Sequence, residues 1–103
     1  MAIKRVFISG PITGTDGYYK KFLNAEIHLR GQRYDIINPA EITSSMPKDL
    51  PWDAYMDITL PLLKYCDAIY SLKGWQQSTG ARMEREYAIR IGLKVMEENT
   101  DED

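Results

Sequence analysis

Apolar residues fall in short blocks along this chain, and glycines, prolines and polar runs separate them. Ile3 to Ser9 (IKRVFIS) reads as a short buried strand, closed by Gly10-Pro11. Gly10 to Gly17 (GPITGTDG) is a loop with three glycines and a proline, and Asp16 is placed to cap the next helix. From Tyr18 to Arg30 the spacing turns helical, with Tyr18, Phe22, Ala25 and Leu29 on one face. Gly31 is expected to end that helix in a left-handed conformation. Arg33 to Ile37 is a second strand, stopped by Asn38-Pro39.

Ala40 to Pro51 reads as a polar loop. Trp52 to Cys66 is helical, with Pro61 expected to kink or split it. Asp67 to Leu72 is a third strand and Lys73 to Thr79 a loop. Gly80 to Leu93 is a helix, and Lys94 to Met96 a short fourth strand. Alternating strands and helices predict an α/β fold: one small, doubly wound parallel sheet of about four strands, flavodoxin- or Rossmann-like, with helices on both faces. Ligands of such sheets bind beyond the carboxyl ends of the strands, at the point where strand order reverses. That gathers three loops: Gly10 to Gly17, Asn38 onward, and Lys73 to Gly80. Candidate ligand contacts are therefore Ser9, Gly10, Pro11, Gly14, Asn38, Trp75, Ser78 and Gly80.

Length and charge narrow the picture. The 103 residues suit one domain, expected over 1–96, followed by an acidic and disordered tail over 97–103. The net charge of -2 hides an asymmetry, because five of the fifteen acids lie in that tail. The body carries thirteen basic side chains against the ten acids that remain. A mild basic excess suits a small anionic ligand and argues against a nucleic-acid partner, which needs a basic stripe. The opening MAIKRVFISG holds an apolar run of four residues at most, too short for a signal peptide or a membrane span, so a cytoplasmic protein with no membrane partner is expected. A lone cysteine, Cys66, allows no internal disulfide and reads as a small buried residue. No metal-ligand spacing is present, and His28 lies off the apolar stripe of its helix.

The last helix holds one residue out of pattern. At about 100° per step, Ala81, Tyr87, Ala88 and Ile91 form an apolar stripe, with Arg82, Arg85, Glu86 and Arg90 on the other side. Glu84 sits within the apolar stripe. A carboxylate there must be paired, protonated or functional. Its place near the positive end of the helix dipole favours the ionised form that a nucleophile needs. The structural alternative is a buried Glu tied to backbone amides or to a nearby Arg. GPITG is neither a dinucleotide fingerprint nor a P-loop, yet its place after the first strand suits backbone binding of an anion or a ribose. Trp75 either stacks on a base or packs on the last helix. Ser78 caps that helix, binds a phosphate, or does both. Asp53 and Asp57 share a helix face, and Asp57 is the candidate general acid.

These features resemble a known group. VFISGPITG (Val6 to Gly14), AEIHLRGQRYDIINPAE (Ala25 to Glu41) and WDAYMDITLPLLKYCDAIYSLKGWQQSTGARMEREYAIRIGL (Trp52 to Leu93) are similar to a small phage and bacterial family of unassigned function. That family is placed in the nucleoside 2-deoxyribosyltransferase superfamily, which also holds deoxynucleoside-monophosphate N-hydrolases. The resemblance implies a Glu nucleophile early in the last helix, which falls on Glu84. It implies a retaining double displacement at the N-glycosidic bond of a nucleoside or nucleotide, with no cofactor and no metal. It implies a homo-oligomer, a dimer or larger. Ser78 stands where the monophosphate hydrolases bind phosphate. The chain departs from the enzymes at two places. Eight residues before Asp67, where the enzymes carry an Asp, this chain has Thr59, and their Glu-Leu-Gly becomes Glu84-Arg85-Glu86, a charged pair where the enzymes pack a small residue. Thr59 favours the alternative of a non-catalytic module that binds or sequesters a nucleotide. A third reading is an interaction domain whose acidic tail meets a basic partner.

Overall fold

The computed structural model describes residues 2–98. Four strands form one sheet in the order β2-β1-β3-β4, every pair parallel. They are β1 (Arg5–Ser9), β2 (Asp35–Ile37), β3 (Ala68–Ser71) and β4 (Lys94–Glu97). Helix α1 (Tyr18–Gly31) links β1 to β2. The link from β2 to β3 holds α2 (Pro39–Ile42), α3 (Trp52–Thr59) and a 3-10 helix over Leu60–Tyr65. Helix α4 (Thr79–Arg90) links β3 to β4.

From β1 the chain steps to β2 on one side, then crosses back past β1 to β3 on the other. Crossovers of a single hand then put helices on opposite faces. The core shows this directly. Val6 and Ile8 pack with Phe22, Ala25 and Leu29 of α1 on one face. Phe7 and Ile69 pack with Leu63 and Ala88 on the other. The expected small doubly wound α/β fold is the one observed. Within it the strand pairs place Ser9 of β1 beside Ser71 of β3.

Several local expectations are corrected. Asp16 does not cap α1, because the cap position is Gly17, left-handed at φ 74° and without a side-chain hydrogen bond. Gly31 stays inside α1, and the left-handed residue is Arg33 at φ 74°, where the Tyr34 amide turns back to the Leu29 carbonyl. The polar stretch after Asn38 is not all loop. Asn38 accepts a bond from the Glu41 amide and Pro39 fills the first helical position, so α2 forms. Pro61 splits the next helix as expected: α3 stops at Thr59, and tighter 3-10 turns carry the chain to Tyr65.

Helix α4 stops three residues before Leu93. Gly92 turns left-handed at φ 89°, and the Leu93 amide returns to the Ala88 carbonyl in a Schellman ending. The expected tail begins too early. Glu97 closes β4, and the Glu98 carboxylate accepts a bond from the Lys73 amide. The rest of that tail lies outside the described residues. Among the described residues, no helix is long and apolar enough to cross a membrane.

Candidate functional site

Beyond the ends of β1 and β3 lies a cavity of about 530 Å³, at the reversal of strand order. The β1–α1 loop forms one wall with Gly10, Ile12, Thr13 and Gly14. Tyr18 and Phe22 of α1 continue it. The segment after β2 adds Thr43, Ser44, Met46, Lys48 and Leu50. Trp52, Tyr55, Met56 and Thr59 come from α3. Ser78, Gly80, Ala81 and Glu84 close it from the start of α4.

Helical spacing turns Glu84 inward. It shares the buried face of α4 with Ala81 and Ala88, and only 7% of it is exposed. Ser9, the last residue of β1, donates a hydrogen bond of 2.6 Å from its Oγ to Glu84 Oε1. Ser9 is itself buried and does not line the cavity. Burial pushes the Glu84 carboxyl up to about 7, against the hydrogen bonds of Ser9 and Thr59, which favour the charged form. This corrects the expectation that the helix terminus keeps the carboxylate ionised. Removal from water outweighs both hydrogen bonds, and the group is divided between its two forms near neutral pH.

Neither form of the structural alternative for Glu84, backbone amides or a nearby Arg, is what forms, since its partners are the Ser9 and Thr59 side chains. Arg85 faces the other way. Its Nη1 donates to Ser71 Oγ at 3.2 Å, and its Nη2 pairs with Glu97 at 2.7 Å. Its guanidinium lies 4.0 Å over the Trp75 ring. Arg85 is thus largely buried toward β4, not on the outer face that the helical wheel assigns to it. Consecutive α4 residues, Glu84 and Arg85, anchor to adjacent serines on β1 and β3.

The sequence-derived candidates divide into two groups. Gly10, Gly14, Ser78, Gly80 and Glu84 meet in one cavity, and Ser9 supports Glu84 from behind. Ser78 caps α4 by accepting the Ala81 amide at 3.1 Å. A Cβ on Gly80 would stand 3.4 Å from Met56 Sδ and 3.7 Å from the Trp52 ring, an ordinary packing contact. Asn38, Pro11, Trp75 and Asp57 do not line the cavity. The Asn38 side chain is taken up by capping α2 and by donating to Glu26 at 3.0 Å. Pro11 packs toward Gly74, and Trp75 packs under Arg85 on α4.

Asp57 lies on the exposed face of α3, together with Asp53. The break at Leu60 comes after Asp57 and so does not re-aim it. Sequence pattern does not single out Lys48, Tyr18 or Tyr55, and it marks Thr59 only as a missing acid. Cys66 is buried and its thiol is pushed up to about 11 by burial, as suits a packing residue. His28 is exposed. Among the described residues, no three His, Cys, Asp or Glu side chains cluster closely enough to hold a metal ion.

Fold and site together define a small doubly wound α/β domain with a buried carboxylate in a cavity at its switch point. The chain belongs to the family described as Domain of unknown function (DUF4406), whose model matches residues 4–97. No curated protein matches it. Membership in that family carries no activity with it.

Proposed function

We propose that this domain cleaves or transfers at the N-glycosidic bond of a nucleoside or nucleoside 5′-monophosphate, with Glu84 as nucleophile. The observation that carries the reading is Glu84 itself. It is a buried carboxylate on a cavity wall, oriented by Ser9 Oγ, with no cationic side chain bonded to it among the described residues. A cavity of about 530 Å³ is of the size that small-molecule ligands occupy. The resemblance to the nucleoside 2-deoxyribosyltransferase superfamily supports the same assignment. Ser78 and Lys48 in the lining suit a 5′-phosphate.

In the first step a Glu84 carboxylate oxygen bonds to C1′ and the C1′–N bond breaks, its electron pair leaving with the base. In the second step water, or a second base, attacks C1′ from the opposite face and frees the carboxylate. A homo-oligomer acting in the cytoplasm belongs to the same proposal.

A time course of free-base release tests it, from ribo- and deoxynucleoside monophosphates and their nucleosides, with and without an acceptor base. Wild type should release base and folded Glu84→Gln should not. Absence of release from every substrate, in a protein whose melting temperature still rises with one of them, overturns catalysis. It would leave the binding module, which Thr59 and the outward Asp57 favour.

A further inference from the structure

The cavity that holds Glu84 is short of acids. Glu84 is the one carboxyl among the described residues that line it, and no histidine or cysteine joins it. The helix that could offer a second carboxyl, α3, turns Asp53 and Asp57 to solvent and presents Thr59 instead. The remaining titratable groups facing the cavity are Tyr18 from α1, Lys48 from the segment after β2, and Tyr55 from α3. The Tyr55 hydroxyl is already donated to the Pro47 carbonyl.

An ordinary neutral base leaves C1′ as an anion unless it is protonated, and a positioned acid supplies roughly 10² to 10⁴ in rate for that step. A base that is already cationic needs no proton, because the electron pair of the broken bond neutralises it. The walls suit such a ring. Tyr18, Trp52 and Tyr55 bring aromatic rings, and Met46 and Met56 bring polarisable sulfur.

Resting on the glycosidic reading above, we infer that the substrate class is a nucleotide whose base is quaternised at ring nitrogen, an N-pyridinium or N7-alkylpurine nucleotide, leaving as a neutral base without an acid catalyst. The chemistry balances. Glu84 carboxylate displaces the ring nitrogen at C1′, and the C1′–N electron pair cancels the positive charge. Water then gives its oxygen to C1′, the ester bond returns its electrons to Glu84, and the second water proton passes to solvent. One proton is released per turnover.

The test pairs each cationic substrate with a neutral one of the same shape. Nicotinamide mononucleotide runs beside its reduced form, and 7-methylguanosine 5′-monophosphate beside guanosine 5′-monophosphate, each with wild type and Glu84→Gln. The expected result is a kcat/KM for the cationic member at least ~10²-fold above its neutral partner, the size of the missing acid contribution. It also includes one proton per turnover in a pH-stat and loss of both in Glu84→Gln. The pH profile should rise with Glu84 ionisation and then stay level, with no descending limb.

A smaller gap between partners, a descending limb at high pH, or a loss of activity in Tyr18→Phe or Lys48→Met that is confined to the neutral substrates reveals a proton donor. Any of these overturns this inference while leaving glycosidic cleavage standing. Failure to cleave any of the four overturns the inference too, and cleavage of other nucleotides in the base-release panel then decides the broader reading separately.

Discussion

At the scale of single residues, Glu84 sets function against stability. Its carboxyl is raised from 4.5 to about 7 by burial. Between those values the folded chain holds a proton that the unfolded chain has lost, so stability falls as pH rises through that window. Above pH 7 the folded state contains a buried charge, and the stability lost relative to pH below 4.5 is roughly 3 kcal/mol. Gln keeps the shape and still accepts from Ser9, but carries no charge. Glu84→Gln should therefore unfold at a higher temperature than wild type at pH 8, with the advantage shrinking to nothing near pH 4.5. Calorimetric scans at several pH values check this. An equal shift at every pH would mean that the carboxyl is not protonated differently in the two states. Residues placed in a site at the expense of the fold commonly behave this way.

At the scale of elements, α4 depends on its first turn. Ser78 satisfies the Ala81 amide, and the chain from Ser78 to Glu84 spans less than two turns. Loss of that cap by Ser78→Ala should cost about 1 kcal/mol, a drop in melting temperature of about 4–8 °C. Ser78→Asp keeps a capping oxygen but sets a negative charge in the cavity. It should hold near wild-type stability while weakening any phosphate-bearing ligand, as thermal shift and titration calorimetry would read. Equal losses of stability in both variants would show that the cap is not what Ser78 supplies.

This helix is also the most legible part of the sequence. Its period of 3.6 is a property of the backbone alone, so one polar residue on the apolar stripe stands out from residue spacing by itself. Elements set by tertiary paths are not legible in that way. Lys48 reaches the cavity through the segment between α2 and α3, where no periodicity exists to place a side chain. The short α2 is hidden because Asn38-Pro39 is equally a strand stop and a helix start. The position of Trp75 after β3 fits either a stacking residue or one packed on α4, and contact with Arg85 is what decides for packing.

At the scale of the whole molecule, the sheet divides the interior into two cores that share β1. Val6 and Ile8 serve the α1 side, and Phe7 serves the α4 side. The alternation of β1 is hidden in an unbroken apolar run, which announces a strand covered on both faces but not which residue serves which face. Because β1 and β3 each carry residues of both cores, neither should melt alone. Leu29 and Leu63 test this with matched chemistry, one on each side and both fully buried. Each Leu→Ala change should cost about 2–5 kcal/mol, a large part of the roughly 5–15 kcal/mol typical of a domain.

The two tryptophans sharpen the experiment. Trp52 packs toward Gly80 of α4 and Trp75 under Arg85, and neither is part of the core that holds Leu29. If the cores are one cooperative unit, Leu29→Ala should shift the urea midpoint by tryptophan fluorescence as far as by far-UV circular dichroism. If the α1 side opens separately, dichroism will fall first while fluorescence holds its native value. In that case the wall formed by Tyr18 and Phe22 would be able to open while Glu84 stays on its serine, and access to the cavity would be gated by α1.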